Sequence, residues 1–148
     1  MTPLIFITGS REIWTDGDAR TWGFVELQNI CADLPLSTIV MHGGDDNSPD
    51  VMAQTQANYR GATAHVFHSD GWISGIEKWV QWASQFDVSR KDRSKLMVDM
   101  ARQWLEYERG PVVVLGLLHH AAQCCEASRR LDLARRAGLW TEARIYTP

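Results

Sequence analysis

Residues 112–118 read VVVLGLL, a run without one polar side chain. Neighbouring side chains of a strand point to opposite faces, so a strand that is apolar at every position must be covered on both sides. Helices on both faces of a sheet are the mark of parallel α/β folds, and the rest of the chain keeps that rhythm. Strand-length apolar runs recur at Leu4–Thr8, Thr38–Met41, Ala64–His68, Val112–Leu117 and Ala143–Tyr146, with helical patterns between them. The sequence therefore predicts an α/β three-layer sandwich with a mostly parallel central sheet and right-handed crossovers, in a single domain spanning residues 1–148.

The helical segments carry their own boundary signals. One starts at Asp18 and places Trp22, Val25, Leu27 and Ile30 before Asp33. A second runs from Pro49 to Arg60, with proline in its first turn and Gly61 just past its end. A third covers 90–108, where Leu96, Met97, Met100, Ala101, Trp104 and Leu105 fall at helical spacing. A fourth runs from Ala121 to Ala137 and is closed by Gly138. Residues 69–90 fit the alternation least and read as a loop followed by a short helix.

Composition narrows the classes of partner. The 148 residues carry a formal charge of -3, with no basic excess to favour nucleic acid. No apolar run approaches the roughly 20 residues that span a bilayer, so no membrane association is expected. MTPLIFITGS lacks a basic leader region and reads as a first strand. The odd set of Cys31, Cys124 and Cys125 points to a reducing compartment, hence a cytoplasmic protein. Seven tryptophans are many for this length; Trp14, Trp72 and Trp140 fall near predicted loops, where an indole can stack on a nucleobase.

Ligands of such sheets bind outside the carboxyl ends of the strands, and three strand ends stand out. In ITGSRE, Gly9 permits close approach, Ser10 offers a hydroxyl and Arg11 a guanidinium suited to phosphate. In HGGDDNSPD, His42 ends an apolar run and Gly43 and Gly44 bare the backbone. The carboxylates of Asp45 and Asp46 suit the hydroxyls of a ribose better than a phosphate. Ser48 or Asn47 would cap the following helix. The third end, LGLLHHAAQCCEASRR, holds His119, His120, Cys124, Cys125 and Glu126, but at spacings that match no zinc pattern; no metal and no cofactor are expected. Each of these loops is also a turn that the fold alone would require.

Taken in order, ITGSREIW, HGG with Asp50 beyond it, SDGW and RSKLMV resemble the nucleotide-binding SLOG superfamily, in its branch of small stand-alone proteins related to YspA and YpsA. The resemblance covers about residues 4–146 and implies a Rossmann-like fold. It implies a pocket in which Gly9, Ser10 and Arg11 form one wall and Gly43, Gly44 and Asp50 another. Arg93 and Ser94 stand at the superfamily's Arg-Asn position, where the arginine would meet a phosphate. The branch occurs in bacteria and their phages, and a phage-encoded copy would work in the host cytoplasm. One signature departs: the superfamily's GGxGTxxE window reads HHAAQCCE over 119–126, keeping Glu126 but replacing every glycine and placing Gln123 at the threonine. Side chains there occupy the space in which bare backbone would cradle a phosphate, leaving His119 and His120 as substitute donors.

Three functions follow as expectations. The first is binding of a nucleotide-derived small molecule, an ADP-ribose-like signal or a nucleoside phosphate, by a protein that sequesters a defence signal. Its contacts would come from Gly9, Ser10, Arg11, His42, Gly43, Gly44, Asp50, Trp72, Arg93, Ser94, His119 and His120. The second is a phosphoribohydrolase like the LONELY GUY enzymes of the superfamily, cleaving the N-glycosidic bond of a nucleoside monophosphate. Glu126 and Arg93 stand where those enzymes keep their catalytic pair. The third is a structural role in oligomerisation; a homo-oligomer is expected in any case, with apolar surface supplied by the tryptophans.

Overall fold

The structure is a computed structural model that describes residues 2–69, 73–75, 93–107, 110–122 and 125–148. Its elements run β1 (Leu4–Gly9), α1 (Glu12–Thr15), α2 (Gly17–Ala32), β2 (Ile39–His42), α3 (Pro49–Arg60), β3 (Ala64–Phe67), β4 (Ile73–Ser74), α4 (Arg93–Glu106), β5 (Val112–His119), α5 (Glu126–Arg136) and β6 (Trp140–Tyr146). Six strands form one sheet in the order β4-β3-β2-β1-β5-β6. All neighbours are parallel except β3 and β4. The fold is the Rossmann-like α/β sandwich that the apolar runs predict.

The two-sided burial of the central strands divides the core in two. Leu4 and Phe6 of β1, with Val112, Val114 and Leu118 of β5, pack on one face against Leu96, Met97 and Met100 of α4 and Leu131 of α5. Ile5 and Ile7, with Leu115 and Leu117, pack on the other against Ile13, Leu27 and Met52. Full burial of each such side chain stabilises by about 1.5–3 kcal/mol. At Gly116 an added methyl carbon would lie 2.6 Å from Leu131 Cδ1, so this glycine lets α5 approach β5.

Several boundaries differ from the sequence expectation. β6 begins at Trp140, three residues before the predicted Ala143. Trp140 is thus a strand residue at the amino end of the sheet, paired with Val113, and not part of a loop beside the crevice. Trp14 lies in α1, with Phe24 at 6.2 Å between ring centroids and the Arg20 guanidinium 5.2 Å from its ring, so it is a packing residue. α5 begins at Glu126 rather than Ala121, because residues 120 and 121 form a turn. The short antiparallel β4 falls inside the stretch expected to be loop and helix. The predicted helix of that stretch, Trp72, Gln123 and Cys124 lie outside the described residues. No helix among the described residues is long and apolar enough to cross a membrane.

Candidate functional site

The chain leaves β1 toward β2 and β3 on one side and returns to β5 and β6 on the other. The crevice outside the carboxyl ends of β1 and β5 is therefore the topological switch point, where α/β sheets hold ligands. Ser10 bridges the ends of β1 and β5: its amide donates to Leu117 O at 3.0 Å, and its hydroxyl accepts from the His119 amide at 2.8 Å. Gly9 is packed rather than open. A methyl group there would collide with Pro49 and lie 2.7 Å from Leu117 O, so the glycine admits the first turn of α3. Arg11 is exposed at the start of α1.

On the β2 side, His42 is buried and neutral. Its Nδ1 accepts from the Gly44 amide at 2.9 Å, so its Nε2 carries the proton and donates to Gln54 Oε1 at 2.8 Å. Burial pushes its pKa down, against the pull of Asp50. Gly44 has φ +70° and no room for a side chain, since Val66 Cγ1 would lie 2.6 Å from its methyl carbon. Gly43 is wedged between Asp50 Oδ2 and the Arg93 guanidinium. Asp50, in the first turn of α3, is 4 % exposed and accepts from the Asp45 amide through Oδ2 at 3.1 Å. Burial raises its pKa; the nearby Arg130 charge opposes that rise.

Arg93 is engaged with protein through both terminal nitrogens. It donates to Gly43 O at 2.9 Å and Phe67 O at 3.0 Å, and holds Asp45 in a two-pronged ion pair with a closest approach of 3.0 Å. It ties the ends of β2 and β3 to the start of α4. Ser94 beside it donates to Glu126 Oε1 at 2.5 Å and accepts from Arg130 Nε at 2.7 Å. Burial alone would raise the Glu126 pKa, but the hydrogen bonds from Ser94 and Arg129 and the charges of Arg129 and Arg130 bring it below the usual value. Glu126 is therefore a carboxylate at neutral pH, on a half-exposed side chain.

Arg130 is the residue that the sequence reading missed. It is 5 % exposed at the heart of this cluster, with Nη1 donating to Thr8 Oγ1 at 3.1 Å. Burial and the Arg93 charge lower its pKa, yet a guanidinium keeps its proton in a protein. A signal was present: Ala127, Arg130, Leu131 and Ala134 are spaced as the buried stripe of a helix, so Arg130 falls on the apolar face of α5. Among the described residues, neither Arg130 Nη2 nor Asp50 Oδ1 has a hydrogen-bond partner.

His119, 6 % exposed, is held like His42. Its Nδ1 accepts from the Ala121 amide at 3.1 Å, and its Nε2 donates to Asp16 Oδ2 at 2.9 Å. That bond is the main reason the Asp16 pKa is lowered. Asp16 also caps α2, accepting from the Asp18 and Ala19 amides. His120 stacks on His119 with ring centroids 4.6 Å apart. The structure thus gathers Thr8, Gly43, Asp50, Arg93, Ser94, Glu126 and Arg130 into one cluster, with Ser10 and His119 stitching the adjoining strands. Arg11 and His120 stay at the rim. No group of three or more His, Cys, Asp or Glu side chains among the described residues is arranged to hold a metal ion.

No protein-family model matches the chain, and no curated protein or solved structure is significantly similar to it.

Proposed function

We propose that the protein binds a nucleotide-derived small molecule, an ADP-ribose-like compound or a nucleoside phosphate, in the crevice at the carboxyl end of the sheet. One observation carries this reading: a buried arginine and a buried aspartate in one cluster each keep one polar atom unengaged by the described residues. Burying polar groups costs free energy unless their hydrogen bonds are completed. A ligand with both an anionic group and hydroxyls completes them, the phosphate on Arg130 Nη2 and a ribose hydroxyl on Asp50 Oδ1. The resemblance to the SLOG superfamily supports the same ligand class. Arg130 takes the phosphate role that the resemblance gave to Arg93, because Arg93 is already spent on Asp45 and two carbonyls. Sequestration of a defence signal is the biological form of this proposal.

Phosphoribohydrolase action is a second reading, favoured by Glu126. Ser94 and Arg129 keep its carboxylate ionised, which suits stabilisation of an oxocarbenium-like ribosyl centre and not proton donation.

The test is thermal unfolding with AMP, NAD and ADP-ribose, followed by chromatography of each incubated ligand. Ligand binding to the folded state raises the melting temperature. A rise with intact ligand supports binding; release of free base and ribose phosphate moves the assignment to hydrolysis. Arg130→Gln is expected to weaken binding by about 1.5–3 kcal/mol, the worth of a charged hydrogen bond. Unchanged melting with every compound would sink both readings.

A further inference from the structure

β6 is an edge strand of seven residues, WTEARIY, hydrogen-bonded on one side to β5 and, among the described residues, to nothing on the other. Long exposed edges invite pairing with another strand, and proteins usually blunt them with charged side chains, lysine above all, with proline or with a bulge. This edge has neither lysine nor proline. Its middle residue, Ala143, is exposed, and Trp140 and Ile145 are 73 % and 45 % exposed.

The direction of its free backbone groups follows from the register. Tyr146 O accepts from the His120 amide, across from the His119↔Tyr146 pair. In a parallel ladder the N–H and C=O of one residue point to the same side, alternating along the strand. Residues 140, 142, 144 and 146 thus turn their backbone groups toward β5, and Thr141, Ala143 and Ile145 turn theirs outward.

We infer that the partner of this edge is a second copy of the same strand, running antiparallel across a two-fold axis at Ala143. That centre sets Ala143 against Ala143, Thr141 against Ile145, Glu142 against Arg144 and Trp140 against Tyr146. The outward-facing residues then form the hydrogen-bonded pairs, giving about six bonds between the copies. The charged residues fall at the non-hydrogen-bonded pairs, where side chains come closest. Glu142 of each copy meets Arg144 of the other, twice over. A centre at Thr141 would set Glu142 against Trp140, and one at Ile145 would set Arg144 against Tyr146; neither pairs the charges. A centre at Glu142 or Arg144 would also bond the outward amides, but it would set glutamate against glutamate or arginine against arginine, and a centre between two residues would face outward groups with inward ones. The strand is self-complementary at one register only, and the sheet would run continuously through twelve strands, six from each copy. Arg144 already lies 3.2 Å from Glu26 and 2.8 Å from Glu142 within one chain, so the partner's charges join an existing row.

The experiment is light scattering on the purified full chain and its variants. The wild type is expected at twice the 16.8 kDa chain mass. Glu142→Arg alone sets arginine against arginine, and Arg144→Glu alone sets glutamate against glutamate; each is expected to run as a monomer. Mixed in equal amounts, they restore both charge pairs and are expected to return to the dimer mass. Ala143→Pro, which removes an outward amide and no internal one, is expected to be monomeric with unchanged circular dichroism. A monomeric wild type, a dimer that survives Ala143→Pro, or single variants that fail to combine would overturn the proposal. The ligand crevice plays no part in any of these outcomes.

Discussion

The turns after β2 and β5 use one device with different surroundings. In each, a buried histidine ends the strand, accepts through Nδ1 from the amide two residues on, and donates from Nε2 to a neighbouring element. Each leads to a helix with a carboxylate in its first turn, Asp50 in one and Glu126 in the other. The β2 turn needs glycine because Val66, Asp50 and Arg93 crowd it and the backbone at Gly44 is left-handed. The β5 turn holds His120 and Ala121 without positive φ. Glycine here answers to packing against the neighbouring layer. The histidine supplies the turn itself in both places.

Arg130 joins the two halves, and its loss is the largest expected effect. Arg130→Met removes the buried hydrogen bonds to Ser94 and Thr8 and the charge that most opposes the rise of the Asp50 pKa, and each charged hydrogen bond commonly contributes about 1.5–3 kcal/mol. Denaturant unfolding would read this, and Arg130→Met combined with Asp50→Asn should recover part of the loss. Equal stability of Arg130→Met and wild type would separate the two turns energetically.

Acid should strike the β2 half first. His65, next to that half in β3, has its pKa pushed down to about 4 by burial, and that of His42 is lowered by the same cause. Between pH 6.5 and the lowered values the unfolded chain binds more protons than the folded one, so stability falls as pH falls through that window. For His65 the loss is on the order of 3 kcal/mol. The Asp16 carboxylate of the β5 half is lowered from 3.8, so its contribution holds above that value and is lost only as pH falls below it. Unfolding free energies of wild type and His65→Phe between pH 7 and pH 4 should diverge as the pH drops; parallel curves would refute the assignment.

The glycine contrast comes next. Gly44→Ala combines left-handed strain with a clash on Val66 and should cost about 2 kcal/mol, whereas Ala121→Gly should cost about 0.5–1 kcal/mol. Comparable losses at the two positions would make the turns equivalent after all. The smallest effect is expected at Arg129→Ala. That side chain pairs with Glu126 at the surface, and such pairs are worth at most about 1 kcal/mol.

The fold was legible where local rules agree with the tertiary context. Ser48, Pro49 and Gly61 bracket α3, whose bounds the structure reproduces, and Ser48 caps it as expected. The start of α5 was not legible. Ala121 and Ala122 favour a helix, but His119 captures the Ala121 amide and holds a turn. The start of β6 was obscured by Trp140, Thr141 and Glu142, which lack the apolar continuity of the inner strands because β6 lies at the edge. Within the site, the importance of Ser10, Asp50 and Ser94 could be suspected from strand ends and helix starts. Arg130 was hidden in an Arg-Arg pair that looks like solvated helix surface until its place on the apolar stripe is counted.

By itself, the sequence determined the layers: runs such as VVVLGLL can satisfy their side chains only between two sheets of helix. It also determined the buried face of α4, where Leu96, Met97, Met100 and Ala101 all turn inward, but not that of α2, which buries Ala19, Gly23, Leu27 and Cys31 and leaves Val25 half exposed. Only the tertiary structure decided which charges meet. Arg130 reaches Thr8 across 122 positions of chain, and Arg93 closes on Asp45 across 48. Those pairings depend on sheet order and register, which set the distance between strand ends. A periodic pattern encodes the side of the sheet, but not the neighbour waiting there.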